Sequence, residues 1–501
     1  MNKRTAVLTL SLVSTLLSAS ANANDISGRW GELIDWNLVP IHAVLTPQGK
    51  VMTFGTTSGG QQSGYLEYSV WDPALGTGPE AFKLLPNETQ TDIFCAAQVV
   101  LPGTGEVLTA GGDQPGDGDN IRNAKTTLFD DATEQLRDAD ARMTYPRWYP
   151  TTISLPNGRV LVMGGNDEGV TGAPMLTPEV FTPGEGWRSL LGATSDYAWG
   201  GLRWFYPRSW VMPNGLVFGH SGFFMHLLDY RGDGTLIEAG AFLTDNGTLT
   251  STSAMYSPGR ILVAGGGSGD SGTNSASVIE VSGTEVSYRA TSSMRFKRQW
   301  ANATILPDGS VLVTGGADED NALGGDGAAL APERWDPLTE QWQTLAAEHL
   351  PRLYHSTSLL MPDGRVLTAG GGVPGPLVNL NGQLFSPPYL FDAEQPAPRP
   401  RYTLAASQVA YGEVLSLAVD SPQEIARVTM VKTGAVTHSF NNDQRFAELQ
   451  FRQTGEQVRA LLPRRAGLLP AGYYMLFLID VAGTPSRAEI VHVVPTAPQG
   501  S

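Results

Sequence analysis

Three short strings in this chain share one form, an arginine two residues ahead of an aromatic ring that leads into an apolar run. They are Arg147-Trp148-Tyr149, Arg298-Gln299-Trp300 and Arg352-Leu353-Tyr354. His355 follows the third at once, and the matching place ahead of another such run holds Cys95, the one cysteine of the chain. A thiol, two phenols and an imidazole each carry a titratable heteroatom, so their meeting would make a reactive site. Each also has a plainer account. Tyrosines pack strand ends and hydrogen-bond backbone, a histidine beside one is a satisfied polar neighbour, and an unpaired thiol is a small core residue. Finding the thiol and both phenols at matching places of a repeat, with the histidine next to one of them, weighs against that account.

The repeat supplies the elements that must position them. An apolar strand, a turn rich in proline and glycine, a second apolar strand and then glycines recur seven times. The copies are PIHAVLTPQGKVMTFG from Pro40, FCAAQVVLPGTGEVLTAGG from Phe94, YPTTISLPNGRVLVMGG from Tyr149 and SWVMPNGLVFGHSG from Ser209. TSAMYSPGRILVAGGG from Thr252, WANATILPDGSVLVTGG from Trp300 and YHSTSLLMPDGRVLTAGGG from Tyr354 complete the set. A spacing of about 50 residues is that of kelch repeats. Each copy reads as a hairpin, with outer strands between copies in segments such as Glu179 to Leu190 and Glu333 to Leu345. One blade leaves both faces apolar, so seven must stack and close on themselves. Equivalent positions then converge at one end of the axis, which brings Cys95, Tyr149, Tyr354 and His355 within reach of one another.

The pattern stops after Gly372, and the proline-rich stretch Ser386 to Tyr402 follows. Short alternating runs come next, among them EVLSLAVD, ARVTMVKTG and YYMLFLID. They predict a small immunoglobulin-like β-sandwich. The expected fold is therefore all-β: a seven-bladed kelch-type propeller over residues 24–385, then a sandwich over 386–501.

Composition narrows the function. Lys3 and Arg4, the apolar run from Ala6 to Leu17 and the Ala21-Asn22-Ala23 cleavage pattern read as an export signal over residues 1–23. The expected location is periplasmic or secreted, and no later segment approaches the roughly 20 apolar residues of a membrane-spanning helix. A formal charge of −16 argues against nucleic acid or anionic lipid as a partner. An exported protein usually pairs its cysteines, so a lone one is either a core thiol or a residue kept for chemistry.

These residues resemble the active-site strings of the galactose oxidase and glyoxal oxidase group of copper-radical enzymes, and the counterparts run across the whole mature chain. Asp92-Ile93-Phe94-Cys95 is similar to the family's Asp-x-Phe-Cys, Arg147 to Tyr149 to its Arg-x-Tyr, and Arg352 to Ser356 to its Arg-x-Tyr-His-Ser. Thr437-His438-Ser439-Phe440-Asn441-Asn442-Asp443-Gln444-Arg445 resembles the family's Thr-His-x-x-Asn-x-Asp-Gln-Arg, in a region that nothing else marks as functional. The resemblance implies a Cys95–Tyr149 thioether whose oxidised form is a tyrosyl radical. It implies one copper ion held by Tyr149, Tyr354, His355 and His438, with Tyr354 axial and acting as general base. Two imidazoles and two phenolic oxygens suit Cu(II). The implied reaction oxidises a primary alcohol or an aldehyde with O2 and releases hydrogen peroxide.

The chain departs from galactose oxidase in two respects. Its first blade begins soon after the cleavage pattern, which leaves no room for an N-terminal carbohydrate-binding domain. The tryptophan that galactose oxidase stacks on its cross-linked tyrosine aligns near Pro213-Asn214; Trp148, Trp199, Trp204 and Trp300 are the alternatives. Both departures lead to the expectation that small alcohols, aldehyde hydrates or polyols outperform galactose. Two rival readings stand beside this one: a non-catalytic kelch propeller that binds a glycan or a protein partner, and a copper protein that no longer oxidises.

Overall fold

The computed structural model describes residues 24–65, 67–89, 91–114, 123–319, 327–375, 377–420 and 424–495. The export signal expected over 1–23 lies outside the described residues. Among those described, no helix is long and apolar enough to cross a membrane. The fold is all-β: a seven-bladed propeller with a β-sandwich behind it.

Each blade is an antiparallel sheet whose first strand lies innermost. The innermost strands are His42–Leu45, Ala97–Val100, the end of the long strand Gln135–Ser154, Arg208–Val211, Thr252–Ser257, Asn302–Ile305 and Ser356–Leu360. The first two strands of most blades are buried on both faces, whereas outer strands such as Glu285–Ala290 and Thr235–Ala241 are largely exposed. That gradient is what radial stacking requires, since inner strands meet a neighbouring blade on either side. The ring is closed by the N-terminus: Arg29–Trp30 and Ile34–Asp35 pair with Asn381–Ser386 as the outer edge of blade seven.

The glycines that end each second strand have a defined task. The N–H groups of Gly112, Gly266 and Gly316 donate to the carbonyls of Arg147, Arg298 and Arg352 in the next blade, at 2.9, 2.6 and 2.7 Å. The glycine before each (Gly111, Gly265 and Gly315) has a positive φ and lies against the same arginine carbonyl. A side chain there would collide with backbone; at Gly315 a Cβ would sit 2.5 Å from the Arg352 oxygen. The arginines are themselves buried. Arg147 bonds the Gly164 carbonyl and Glu179, Arg298 bonds Gly315 and Glu333, and Arg352 bonds Gly370 and Glu348. In Arg-x-aromatic, then, the arginine fastens blades together. The residues after it are thrust toward the axis.

The sandwich is built on strands from Tyr402–Leu404 to Glu489–Val493, two sheets sharing the long strand Phe446–Thr454 around their own apolar core. One hairpin leaves it. Ala435–Thr437 and Phe440–Asn442 run into the propeller, where Thr437 to Ala435 pair with His42 to Val44 of blade one. The hairpin lies against the innermost strand of all seven blades. It fills the axis that a closed seven-bladed ring leaves.

The residues that follow hold it there. Asp443 accepts from the Ser154 hydroxyl of blade three and pairs with the buried Lys432 at 2.5 Å. Gln444 accepts from the Ile305 N–H of blade six at 2.7 Å, and Arg445 donates to the Val211 carbonyl of blade four. The Asp-Gln-Arg part of the family string is thus a lock between hairpin and propeller. The preceding Thr-His is what the lock presents.

Two glycines test the junction. Gly315 (φ +65°) and Gly283 (φ +64°) share a backbone conformation, but nothing lies within 4 Å of a Cβ at Gly283. Gly283→Ala should cost only the left-handed penalty of about 1–3 kcal/mol. Gly315→Ala should cost clearly more in chemical denaturation, because the Arg352 backbone must move. Equal losses would contradict the junction.

Candidate active site

The hairpin ends in a two-residue turn, His438-Ser439, with φ +46° and +65°. Positive φ at both central residues is what a type I′ turn demands, usually met by Asn-Gly. Here neither residue is glycine, and such positions cost about 1–3 kcal/mol each. The same conformation recurs around the axis. Cys95, Tyr206, Trp300 and His355 have positive φ (58°, 35°, 60° and 67°) just ahead of an innermost strand, and Tyr149 (60°) has it within Gln135–Ser154, at the start of that strand's innermost part. In an extended strand, successive side chains would point to opposite faces. A left-handed residue at the strand start instead turns its side chain toward the axis. The backbone also links neighbours in this circle: the Tyr149 N–H donates to the Cys95 carbonyl (3.0 Å) and the Tyr206 N–H to the Tyr149 carbonyl (3.1 Å).

All five side chains singled out by the sequence meet here. The hydroxyls of Tyr149 and Tyr354 are 3.1 Å apart, and the Nε2 atoms of His355 and His438 are 2.8 Å apart. The Cys95 thiol lies against Tyr149; burial, then the thiol, pushes the Tyr149 phenol well above its usual range, and burial, then Asp113, does the same to Cys95, which the hydrogen bond with Tyr149 partly offsets. His438 stands 4.6 Å from Tyr149 between ring centroids, and Tyr354 stacks on His355 at 3.9 Å. Cys95, Tyr149, His355 and His438 are buried, while Tyr354 is partly open to solvent.

The two histidines are in an unusual relation. His355 Nδ1 donates to the Val373 carbonyl at 2.6 Å, which leaves its Nε2 as a lone pair. Thr437 Oγ1 lies 3.1 Å from the Ile41 carbonyl and 2.6 Å from His438 Nδ1; when it donates to the carbonyl it accepts from Nδ1, the tautomer that leaves His438 Nε2 a lone pair as well. Burial pushes His355 down to about 3 and His438 well below the usual imidazole range, so neither carries a second proton near neutrality. In that tautomer two lone pairs face each other at 2.8 Å and cannot hydrogen-bond. They repel unless a cation joins them, and two phenolic oxygens lie beside them. This donor set fits copper. Among the described residues, no cluster of three or more His, Cys, Asp or Glu side chains offers another metal site.

Of the four candidate tryptophans, Trp148 takes the stacking place. Its ring lies 3.8 Å from Tyr149 at 11°, nearly parallel. Trp204 is farther and tilted (6.3 Å, 34°), Trp300 meets Tyr354 edge-on at 4.7 Å, and Trp199 is buried in a separate core cluster. The aromatic plane missing at 213–214 is thus supplied by the residue just before the tyrosine. Trp148 is itself buried, so it covers Tyr149 rather than offering a face to solvent. The solvent side is lined by Phe205 and Trp300, both half-buried.

Tyr206 was not marked by the repeat. Its ring stacks on His438 at 4.6 Å and its hydroxyl donates to the Ala96 carbonyl at 3.1 Å. The signal was available in the dipeptide Tyr206-Pro207, which matches Tyr149-Pro150 at the start of the preceding blade. His42 was also missed. It stacks on Phe54, donates Nδ1 to Gln98 Oε1 at 2.9 Å and stands 5.7 Å from His438.

Several known proteins resemble this chain. Residues 271–387 match the family Glyoxal oxidase N-terminus, and 399–493 match Galactose oxidase-like, Early set domain. A galactose oxidase of Gibberella zeae is 28% identical over 93% of this chain and 70% of its own length. An aldehyde oxidase GLOX of Vitis pseudoreticulata is 28% identical over 94% and 98%. The solved structure of a fungal alcohol oxidase in complex with copper superposes with a TM-score of 0.83 at 27% identity, covering 93% of this chain and all of that one.

Behind Cys95 lies a pair of acids. Asp92 accepts from the N–H groups of Gly64 (2.6 Å) and Phe94 (2.9 Å), which fixes the turn that presents Cys95 and accounts for the Asp in Asp-x-Phe-Cys. Asp113 pairs with Asp92 as a backbone bridge, and burial, then Asp92, pushes its carboxyl up to about 8. The folded protein therefore keeps a proton that the unfolded chain, with an ordinary carboxyl near 4, gives up. This contribution to stability is complete below about pH 4 and is lost as pH rises toward 8. Melting temperatures between pH 5 and 9 should fall more steeply for the native chain than for Asp113→Asn. Parallel profiles would rule out this source.

Proposed function

We propose that this chain, which belongs to the galactose oxidase and glyoxal oxidase family of copper-radical oxidases, oxidises primary alcohols or aldehydes at the axial ring of Cys95, Tyr149, Tyr354, His355 and His438. O2 is the acceptor and hydrogen peroxide the second product. The observation that carries this reading is the convergence of two imidazole lone pairs and two phenolic oxygens beside the chain's one thiol. A binding-only propeller has no need of that convergence.

His355 and His438 would hold the metal through Nε2, with Tyr149 and Tyr354 supplying oxygen. When bound, copper supplies a one-electron acceptor and the means of passing electrons to O2. The remaining roles fall to the protein. Alcohol oxidation removes two electrons, so a second one-electron oxidant is needed, and Tyr149 joined to Cys95 by a thioether fills it. Sulfur on the phenol ring lowers its oxidation potential. Trp148, parallel at 3.8 Å and buried, lays an electron-rich face on that ring and keeps water from it. Tyr354, partly open to solvent, takes the hydroxyl proton of the substrate as general base. Tyr149 takes the hydrogen atom from the adjacent carbon.

The rest of the reading follows from these roles. The propeller spans 24–385 and the sandwich 386–501, with the Ala435–Asn442 hairpin reaching across. Residues 1–23 direct export, and the one cysteine then serves as cofactor rather than half of a disulfide. Small alcohols and aldehyde hydrates should be better substrates than galactose. The reason differs from a missing aromatic: Trp148 is present but buried, so its face is not offered to a sugar ring.

Protein treated with copper and O2 should weigh two hydrogen atoms less than untreated protein, with the loss mapping to the Cys95 and Tyr149 peptides. Cys95→Ser should bind copper, show no mass change and lose most turnover. Free Cys95 in fully active enzyme would refute the cofactor assignment.

Thr437→Val removes the acceptor that fixes the His438 tautomer. It should lower copper affinity about 10- to 100-fold, the usual effect of losing such a support. Unchanged affinity in a copper titration would contradict the ligand geometry.

A further inference from the structure

Tyr206 belongs to the circle of positive-φ residues around the axis, yet the oxidase reading gives it no task. It is fully buried, and every polar group it carries is engaged. Its N–H donates to the Tyr149 carbonyl at 3.1 Å, its carbonyl accepts from the Arg208 guanidinium at 2.7 Å, and its hydroxyl donates to the Ala96 carbonyl at 3.1 Å. Pro207 behind it packs on Gly164 of blade three, where a Cβ would lie 2.6 Å from the proline ring. A tyrosine tied at both ends of its backbone and at its hydroxyl is a fixed plane, the kind of support a reactive site needs.

Those bonds reach both halves of the expected thioether. Ala96 directly follows Cys95, and the Tyr149 N–H in turn donates to the Cys95 carbonyl at 3.0 Å. The Tyr206 ring lies 4.9 Å from that of Tyr149 between centroids, tilted by 32°. Cys95, Tyr149 and Tyr206 thus close a loop of contacts across blades two, three and four. The same ring stacks on His438, 4.6 Å between centroids at 28°. The Thr437 contact at Nδ1, 2.6 Å long, fixes one point of that imidazole. A flat neighbour fixes its plane as well, and with it the direction of Nε2.

We infer that Tyr206 is a positioning residue shared by both parts of this site: its hydroxyl holds Cys95 against Tyr149 for cross-linking, and its ring sets the plane of His438 for the metal. The inference rests on the oxidase reading above for the use made of these contacts. Cross-linking breaks the thiol S–H bond and one C–H bond of the phenol ring, and it forms one C–S bond. The two protons and two electrons released pass to O2, which leaves as hydrogen peroxide. Tyr206 has no part in that balance. It acts through the groups it holds.

Two variants separate the hydroxyl from the ring. Tyr206→Phe keeps the volume and the stack but loses the bond to Ala96, whereas Tyr206→Leu loses both. Three readouts apply: the mass loss over time after adding copper and O2, a Cu(II) titration without O2, and the His438 ring-proton resonance in metal-free protein. Tyr206→Phe should form the thioether about tenfold or more slowly, since a small misplacement of reacting groups is enough for that. Its His438 resonance should stay near the native position. Tyr206→Leu should shift that resonance, because the ring current of the stacked neighbour is gone. It should also bind copper roughly 10- to 100-fold more weakly than Tyr206→Phe. A native cross-linking rate in Tyr206→Phe, or equal copper affinity in the two variants, would overturn the inference. Native protein that neither binds copper nor loses mass would refute the oxidase reading instead. The hold on His438 would then be upheld by a resonance that moves only in Tyr206→Leu, and overturned by one that stays in both.

Discussion

The active ring depends on the hairpin Ala435–Asn442 being driven to a fixed depth along the propeller axis. A closed ring of seven blades leaves a channel, and a chain inserted there must satisfy every backbone group it carries. Pairing with His42 to Val44 does so along one side, and Asp443, Gln444 and Arg445 tie its base to blades three, six and four. The Lys432–Asp443 pair is nearly buried, and breaking such a pair from one side typically costs about 3–5 kcal/mol. The hairpin cannot slide without breaking these bonds. His438 at its tip is consequently held against His355, a residue of the other domain.

The ring is a strained place in the fold. Seven non-glycine residues around it hold positive φ, and the Nε2 atoms of two buried imidazoles are pressed to 2.8 Å. Strain of this kind persists only where the surroundings over-determine it. Here the inter-blade glycines and the buried arginines do so. A cation shared by the two histidines would turn that repulsion into attraction, and its binding would then add to folded stability.

One motif does two jobs that its sequence does not separate. Arg147, Arg298 and Arg352 make the same carbonyl and carboxylate contacts in three blades, and those contacts are structural. The aromatic residue two places on is free to differ in chemistry: Tyr149 lies against Cys95, Trp300 packs edge-on against Tyr354, and Tyr354 stacks on His355. The repeat thus fixes where a side chain arrives and leaves open which one arrives.

Much was legible in the sequence because it was local. Hairpin turns, strand alternation and glycine pairs follow from short-range backbone preferences, so seven blades and a second β domain could be counted from them. The five ring residues were legible because three occupy matching repeat positions, His355 directly follows one of them, and His438 lies in a nearly complete family string. Other features required the tertiary structure. On an ordinary strand Trp148 and Tyr149 would face opposite ways; the positive φ at Tyr149, which no local rule assigns to a tyrosine, brings the two rings into a stack. The places of Tyr206 and His42 are likewise products of blade-to-blade contact. The hairpin's insertion, which gives His438 its role, is decided by bonds between residues hundreds of positions apart, and local sequence patterns carry no record of those.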